Sequence, residues 1–123
     1  MTPNERAQEL EERLIVFAVR ILKVANALPK NYAGQHFASQ IIRSGSSPAL
    51  NYGEARVSES EKDFRHKMAI VLKELRETHI NLRIIGKSSL LDAQDVSGVI
   101  DESNQLISIF VTAIRSIDAK PKK

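Results

Sequence analysis

The sequence predicts an all-α protein, an antiparallel up-down-up-down four-helix bundle that is homo-oligomeric. Three observations carry this. Apolar residues recur in alternating steps of three and four across four long segments, the seam spacing of packed helices. The 123-residue chain has only five glycines and four prolines, and its β-branched residues fall at helical spacing. The breaks between the periodic segments are short, so successive helices must run antiparallel beside one another.

The first segment runs from Pro3 or Asn4 to Leu28. Thr2 followed by Pro3 suits an N-cap and first helical position, and Glu5 sits favourably near the positive helix end. Leu10, Leu14, Phe17, Ile21, Val24 and Leu28 form the seam, and Pro29-Lys30-Asn31 ends the helix. Ile15, Val19 and Leu22 make a second apolar stripe on a neighbouring face.

The second segment starts near Ala33 and ends at Glu54 or Arg56. Phe37, Ala38, Ile41 and Ile42 mark its buried side. The Ser44-Gly45-Ser46-Ser47-Pro48 run that follows has poor helix propensity, and Pro48 removes one backbone donor. A turn and a helix kinked near Pro48 are both compatible with these residues.

The third segment begins after Val57. Ser58 with Glu61 fits a capping box, and Ser60 with Asp63 is a second candidate. Phe64, Met68, Val71, Leu75, His79, Leu82 and Ile85 form its seam, while Lys62, Arg65, Lys73, Arg76, Arg83 and Lys87 lie opposite. Gly86 and Ser88-Ser89 end it. The fourth opens with Asp92 as N-cap and carries Val96, Val99, Ser103, Ile107, Phe110, Ile114 and Ile117. Leu106, Ile109 and Ala113 widen its apolar arc. The extra stripes on the first and fourth helices predict a second buried surface, most simply between copies of the chain. We therefore expect one domain over residues 1–118 and a basic, flexible tail over 119–123.

Composition narrows the function classes. Hydrophobic residues make up 42% and charged ones 27%, as in a folded globular protein. The absence of cysteine excludes disulfide and thiolate chemistry and agrees with a reducing cytoplasm. No apolar run is long enough for a membrane helix, and the polar N-terminus is unlike a secretory signal, so a cytoplasmic location without membrane association is expected. The net charge of +3 includes Lys120, Lys122 and Lys123 of the tail, so any basic surface must come from local clustering.

Catalytic and cofactor patterns are weak. His66 and His79 lack the Glu-x-x-His pairing of di-metal bundles, and no metal or other cofactor is expected. There is no Gly-x-Ser-x-Gly elbow and no glycine-rich phosphate loop. Glu54, Glu74 and Glu77 would need a pocket that perturbs their ionisation to act as acid or base. With Arg43, Lys67, Lys73 and Arg76 nearby, a structural salt-bridge network is the simpler reading, and a non-enzymatic protein is expected. A basic face remains, with Arg43, Arg56, Lys62, Arg65 and Lys73 as candidate nucleic-acid-binding residues. Asn51, Glu54, Lys67, Glu74 and Glu77 are candidates for a polar network that fastens the assembly. A protein-interaction scaffold that binds no nucleic acid is the rival reading.

The stretch from Gln40 to Thr78 also resembles a bacterial four-helix-bundle family. That family includes proteins encoded by intervening sequences inside large-subunit ribosomal RNA genes, sometimes labelled S23 ribosomal proteins. Its pattern runs close to Q-x-x-R-S-x-T-S-x-x-A-N-Y-x-E-A, then S-x-x-D-F-x-H-K, then A-L-K-E-x-x-E-T. Here Gln40, Arg43, Ser44, Ser47, Asn51, Tyr52, Glu54 and Ala55 match the first block. Ser60, Asp63, Phe64, His66 and Lys67 match the second, and Leu72, Lys73, Glu74, Glu77 and Thr78 the third. Ser46 replaces the usual Thr, Pro48-Ala49-Leu50 the more usual Ile-Gly-Ala, and Ile80-Asn81 a common Tyr-Trp, which removes a base-stacking platform. The resemblance implies a ring-like homopentamer in which the second helix continues through the small-residue stretch. A distant relative, the accessory protein of diversity-generating retroelements, works with a reverse transcriptase and RNA. By that analogy RNA or DNA, or a reverse transcriptase or other nucleoprotein partner, is the expected ligand.

Overall fold

The computed structural model describes residues 1–121. Four helices, α1 (Pro3–Ala27), α2 (Tyr32–Arg56), α3 (Glu61–Lys87) and α4 (Ala93–Asp118), form an antiparallel bundle. Each packs on its neighbours in sequence, and α1 meets α4 along the thinnest seam. Lys122 and Lys123 of the expected tail lie outside the described residues.

The helix ends follow from local chemistry. Thr2 and Glu5 form a reciprocal capping box on α1, each side chain bonded to the other's backbone N–H. The Asn31 side chain accepts from Gly34 N–H at 2.8 Å to start α2. Gly34 is required there, because a Cβ would collide with the Pro29 carbonyl. The start of α3 uses the second of its two candidates: Ser60 accepts from Asp63 N–H, while Ser58 donates to the Ala55 carbonyl. After α3, Ser89 adopts the left-handed conformation (φ 61°). Leu90 N–H then reaches the Ile85 carbonyl and Ser89 N–H the Gly86 carbonyl, a Schellman ending. Asp92 stands at the N-cap of α4 without a side-chain cap bond.

α2 is continuous through Pro48. The small residues around it allow close packing instead of a turn. Ser44, Gly45 and Pro48 are buried, and a Cβ on Gly45 would stand 2.7 Å from Ile21 Cγ2 of α1. On the other side the hydroxyls of Ser44 and Thr78 lie 2.8 Å apart, and Thr78 also donates to the Glu74 carbonyl. These fully buried polar groups are thus satisfied.

The core is aliphatic. Leu14, Phe17 and Ile21 of α1 meet Ile41 of α2, Val71, Leu75 and Leu82 of α3, and Val96, Leu106 and Phe110 of α4. Tyr52 stacks edge-on against Phe110, with ring centroids 5.6 Å apart. Leu106 corrects one expectation. α4 packs on both α3 and α1, so Leu106 of its wide apolar arc is fully buried inside the bundle, while Ile109 and Ala113 are half-buried. The second stripe of α1 behaves differently. Ile15, Val19 and Leu22, with Val16 beside them, remain 41–55% exposed.

Candidate nucleic-acid interface

The bundle sorts the cations of the sequence into two sets. The first set clasps the helix seams. Arg43 of α2 reaches Glu74 of α3 at 3.1 Å and pairs with Glu77. Arg56 of α2 lies 3.3 Å from Glu11 of α1 and donates to Gln8 and Asn4. Arg65 of α3 forms a bidentate pair with Asp118 of α4, both bonds at 2.9 Å. Lys67 of α3 donates to Glu54 of α2 at 2.9 Å, and this bond raises the lysine pKa. A clasp that the sequence reading missed joins α1 to α4: Arg13 holds Glu102 bidentately at 2.7 and 2.8 Å and also donates to Gln105. The Arg13 hydrogen bond holds the Glu102 carboxyl below its ordinary pKa. Arg13 and Glu102 stand 89 residues apart, so no local spacing announces the pair.

The second set lies along the outer face of α3. Lys62, Lys73, Arg76, Arg83 and Lys87 are exposed and make no ion pair among the described residues. They follow one another at helical spacing from the first turn to the last, about 37 Å along the axis. His66, Ile80 and Ile84 complete this face, with Glu61 at its N-terminal end and the part-exposed Glu77, engaged by Arg43, along its flank.

Of the five residues singled out for nucleic acid, Lys62 and Lys73 therefore fall on the open row. Arg43, Arg56 and Arg65 are engaged with carboxylates. Arg76, Arg83 and Lys87 complete the row, and their signal in the sequence was the same opposite-face spacing. The polar candidates are spread over separate contacts. Glu54, Lys67, Glu74 and Glu77 all tie α2 to α3, whereas Asn51 donates back to Ser47 within α2.

Near the C-terminal half of the row, α3 and α4 part to leave a groove of about 620 Å³, lined by His79, Arg83, Lys87, Val96, Ile100 and Asn104 among others. His79 Nδ1 lies 2.7 Å from the Ser103 hydroxyl. Burial, then the nearby Arg83 charge, lowers the histidine pKa. Among the described residues no three His, Asp or Glu side chains gather as metal ligands would. No helix among them is long and apolar enough to cross a membrane.

Residues 7–112 match the model of the 23S rRNA-intervening sequence protein family. The chain belongs to that family. Its bundle is similar to the crystal structure of a protein of unknown function from the S23 ribosomal protein family of Bacteroides thetaiotaomicron VPI-5482. The two share 27% identity and superpose with a TM-score of 0.79 over 85% of this chain and 96% of the other. No curated protein matches the chain.

Proposed function

We propose that this intervening-sequence family member is a non-enzymatic cytoplasmic bundle that assembles with copies of itself and binds RNA on the outer face of α3. The observation that carries the reading is the row Lys62, Lys73, Arg76, Arg83 and Lys87, whose cations make no ion pair among the described residues. Such a row suits a phosphate backbone, contacts charge without reading bases, and is weakened by salt. The family description, tied to intervening sequences of 23S rRNA, supports RNA over other polyanions.

Self-assembly rests on α1. Ile15, Val16, Val19 and Leu22 form an exposed apolar stripe that the bundle itself leaves uncovered. A pentamer is the favoured state, from the family resemblance, and it would repeat the α3 row around a ring and multiply weak contacts. A reverse transcriptase or another nucleoprotein partner fits the same surface. The scaffold reading draws on a different observation, the internal pairing of Arg43, Arg56 and Arg65.

Titration of single-stranded RNA against the chain at a series of salt concentrations tests the proposal. Binding at about 50 mM salt that weakens steeply toward about 200 mM supports it. Lack of any binding at the lower salt leaves the scaffold. Light scattering after size exclusion tests assembly, with Val19→Glu and Leu22→Glu expected to yield monomers.

A further inference from the structure

The groove between α3 and α4 adjoins the cation row without being explained by phosphate contacts. At about 620 Å³ it falls within the roughly 300–1,000 Å³ typical of small-ligand sites. Its apolar surface comes from the half-buried Ile100, which lies over the fully buried Val96. α3 contributes Gly86 there, where a Cβ would stand only 3.1 Å from Val96 Cγ2, so the helices pack closely at that end of the groove.

The polar groups around that surface are specific in kind. Ser103 donates its single hydroxyl proton to the Ile100 carbonyl at 2.6 Å. It must therefore accept at the 2.7 Å contact with His79, which puts the imidazole proton on Nδ1. Nε2 is left as a lone-pair acceptor on a ring that lines the groove. The Asn104 amide, on the α4 wall, has no hydrogen-bond partner among the described residues, so it offers both donors and an acceptor. Arg83 and Lys87 stand on the α3 wall without an ion pair among the described residues, while Asp101 stands on the α4 wall, its carboxylate accepting from Gln105 at 3.0 Å. A phosphate is thus drawn to the α3 side and repelled from the α4 side.

We propose that this groove is a nucleotide site: a planar base enters between α3 and α4, its polar edge meets His79 Nε2 and the Asn104 amide, and its phosphate rests on Arg83 and Lys87. This deepens the nucleic-acid reading and rests on it for the source of the base. A base held in the groove must be unpaired, so the site selects single strands over duplexes. A free nucleotide has the same chemistry and is the other source.

Fluorescence anisotropy on the full chain tests the site with three labelled probes at one salt concentration: a single-stranded RNA of about 12 nucleotides, a duplex of equal length, and adenosine monophosphate. Ser97→Trp fills the groove from its exposed rim, and Asn104→Ala removes the amide. Neither touches the core, and circular dichroism checks that the helices persist. Lys73→Glu with Arg76→Glu is the control outside the groove. The expected result is at least about 10-fold preference for single strand, lost about 10-fold in either groove variant, with duplex affinity unchanged. Adenosine monophosphate that binds as tightly as the strand, and is blocked by Ser97→Trp, assigns the groove to free nucleotides. If adenosine monophosphate binds, and is blocked by Ser97→Trp, while neither polynucleotide binds, the groove stands and the nucleic-acid reading falls. Equal affinity for single strand and duplex, weakened by the control but not by the groove variants, overturns the groove and spares the phosphate row. No binding of any probe overturns both.

Discussion

The seams of the bundle and the outer face of α3 use the same side chains for opposite ends. Arg43, Arg56, Arg65 and Arg13 each lean across a seam onto a carboxylate of the neighbouring helix. Lys73, Arg76 and Arg83, on one of the same helices, form no ion pair among the described residues. The difference teaches that a positive charge in the sequence counts toward a binding surface only when no partner helix brings an acid to it. It also suggests separate roles, fixing register at the seams and meeting a ligand on the face.

The largest break of this comparison comes from reversing the face. Lys73→Glu, Arg76→Glu and Arg83→Glu together are expected to lower RNA affinity at least about 100-fold at low salt, from lost contacts and added repulsion, with the melting temperature nearly unchanged. The measurement is anisotropy paired with thermal denaturation. Next in size is Gly45→Ala in the α1–α2 seam. Its methyl would press on Ile21 and destabilise the fold by about 1–3 kcal/mol, read from urea denaturation.

Arg13→Gln opens the α1–α4 clasp and is expected to cost about 1 kcal/mol at neutral pH. The folded Glu102 carboxyl lies below its ordinary value of 4.5. The clasp therefore stabilises above that pH, and its contribution is lost as pH falls from there through the depressed folded value. Denaturation of wild type and variant should converge in acid. His79 gives a smaller effect of similar form. Its folded pKa lies below 6.5, so the fold favours the neutral ring. Stability is then full above pH 6.5 and declines as pH falls from there to the folded pKa, because only the unfolded chain takes up the proton. His79→Gln should flatten that decline. Smallest of all, Arg65→Ala opens an exposed pair and should leave the melting temperature nearly unchanged, with RNA affinity unaltered.

The bundle was legible because its signal is local. Apolar spacing in each segment reports which face is buried, and Thr2, Ser60 and Asp92 mark helix starts within a few residues of sequence. The continuity of α2 was not legible from propensity, since Gly45 and Pro48 argue for a turn. It follows from packing, in which Gly45 admits Ile21 and the Ser44 hydroxyl meets Thr78. Leu106 reads as part of an extra stripe because a periodicity count does not know that α4 has two neighbours, one of which covers it. The candidate interface was half legible for the same reason. Spacing put Lys62, Lys73, Arg76, Arg83 and Lys87 on one face, but the pairing of Arg65 with Asp118, 53 residues away, depends on how the helices meet. The groove at His79 has no sequence motif at all, because its two walls come from helices whose register is set by the fold.

The most direct measurement compares salt dependence in two double variants. Lys73→Gln with Arg76→Gln removes charge from the face, and Arg43→Gln with Arg65→Gln removes charge from the seams. In a plot of the logarithm of RNA affinity against that of salt, each lost phosphate contact on a single strand should flatten the slope by about 0.7. The account predicts a flatter slope for the face variant and the wild-type slope for the seam variant. A seam variant that flattens the slope as much as the face variant, or more, would contradict it.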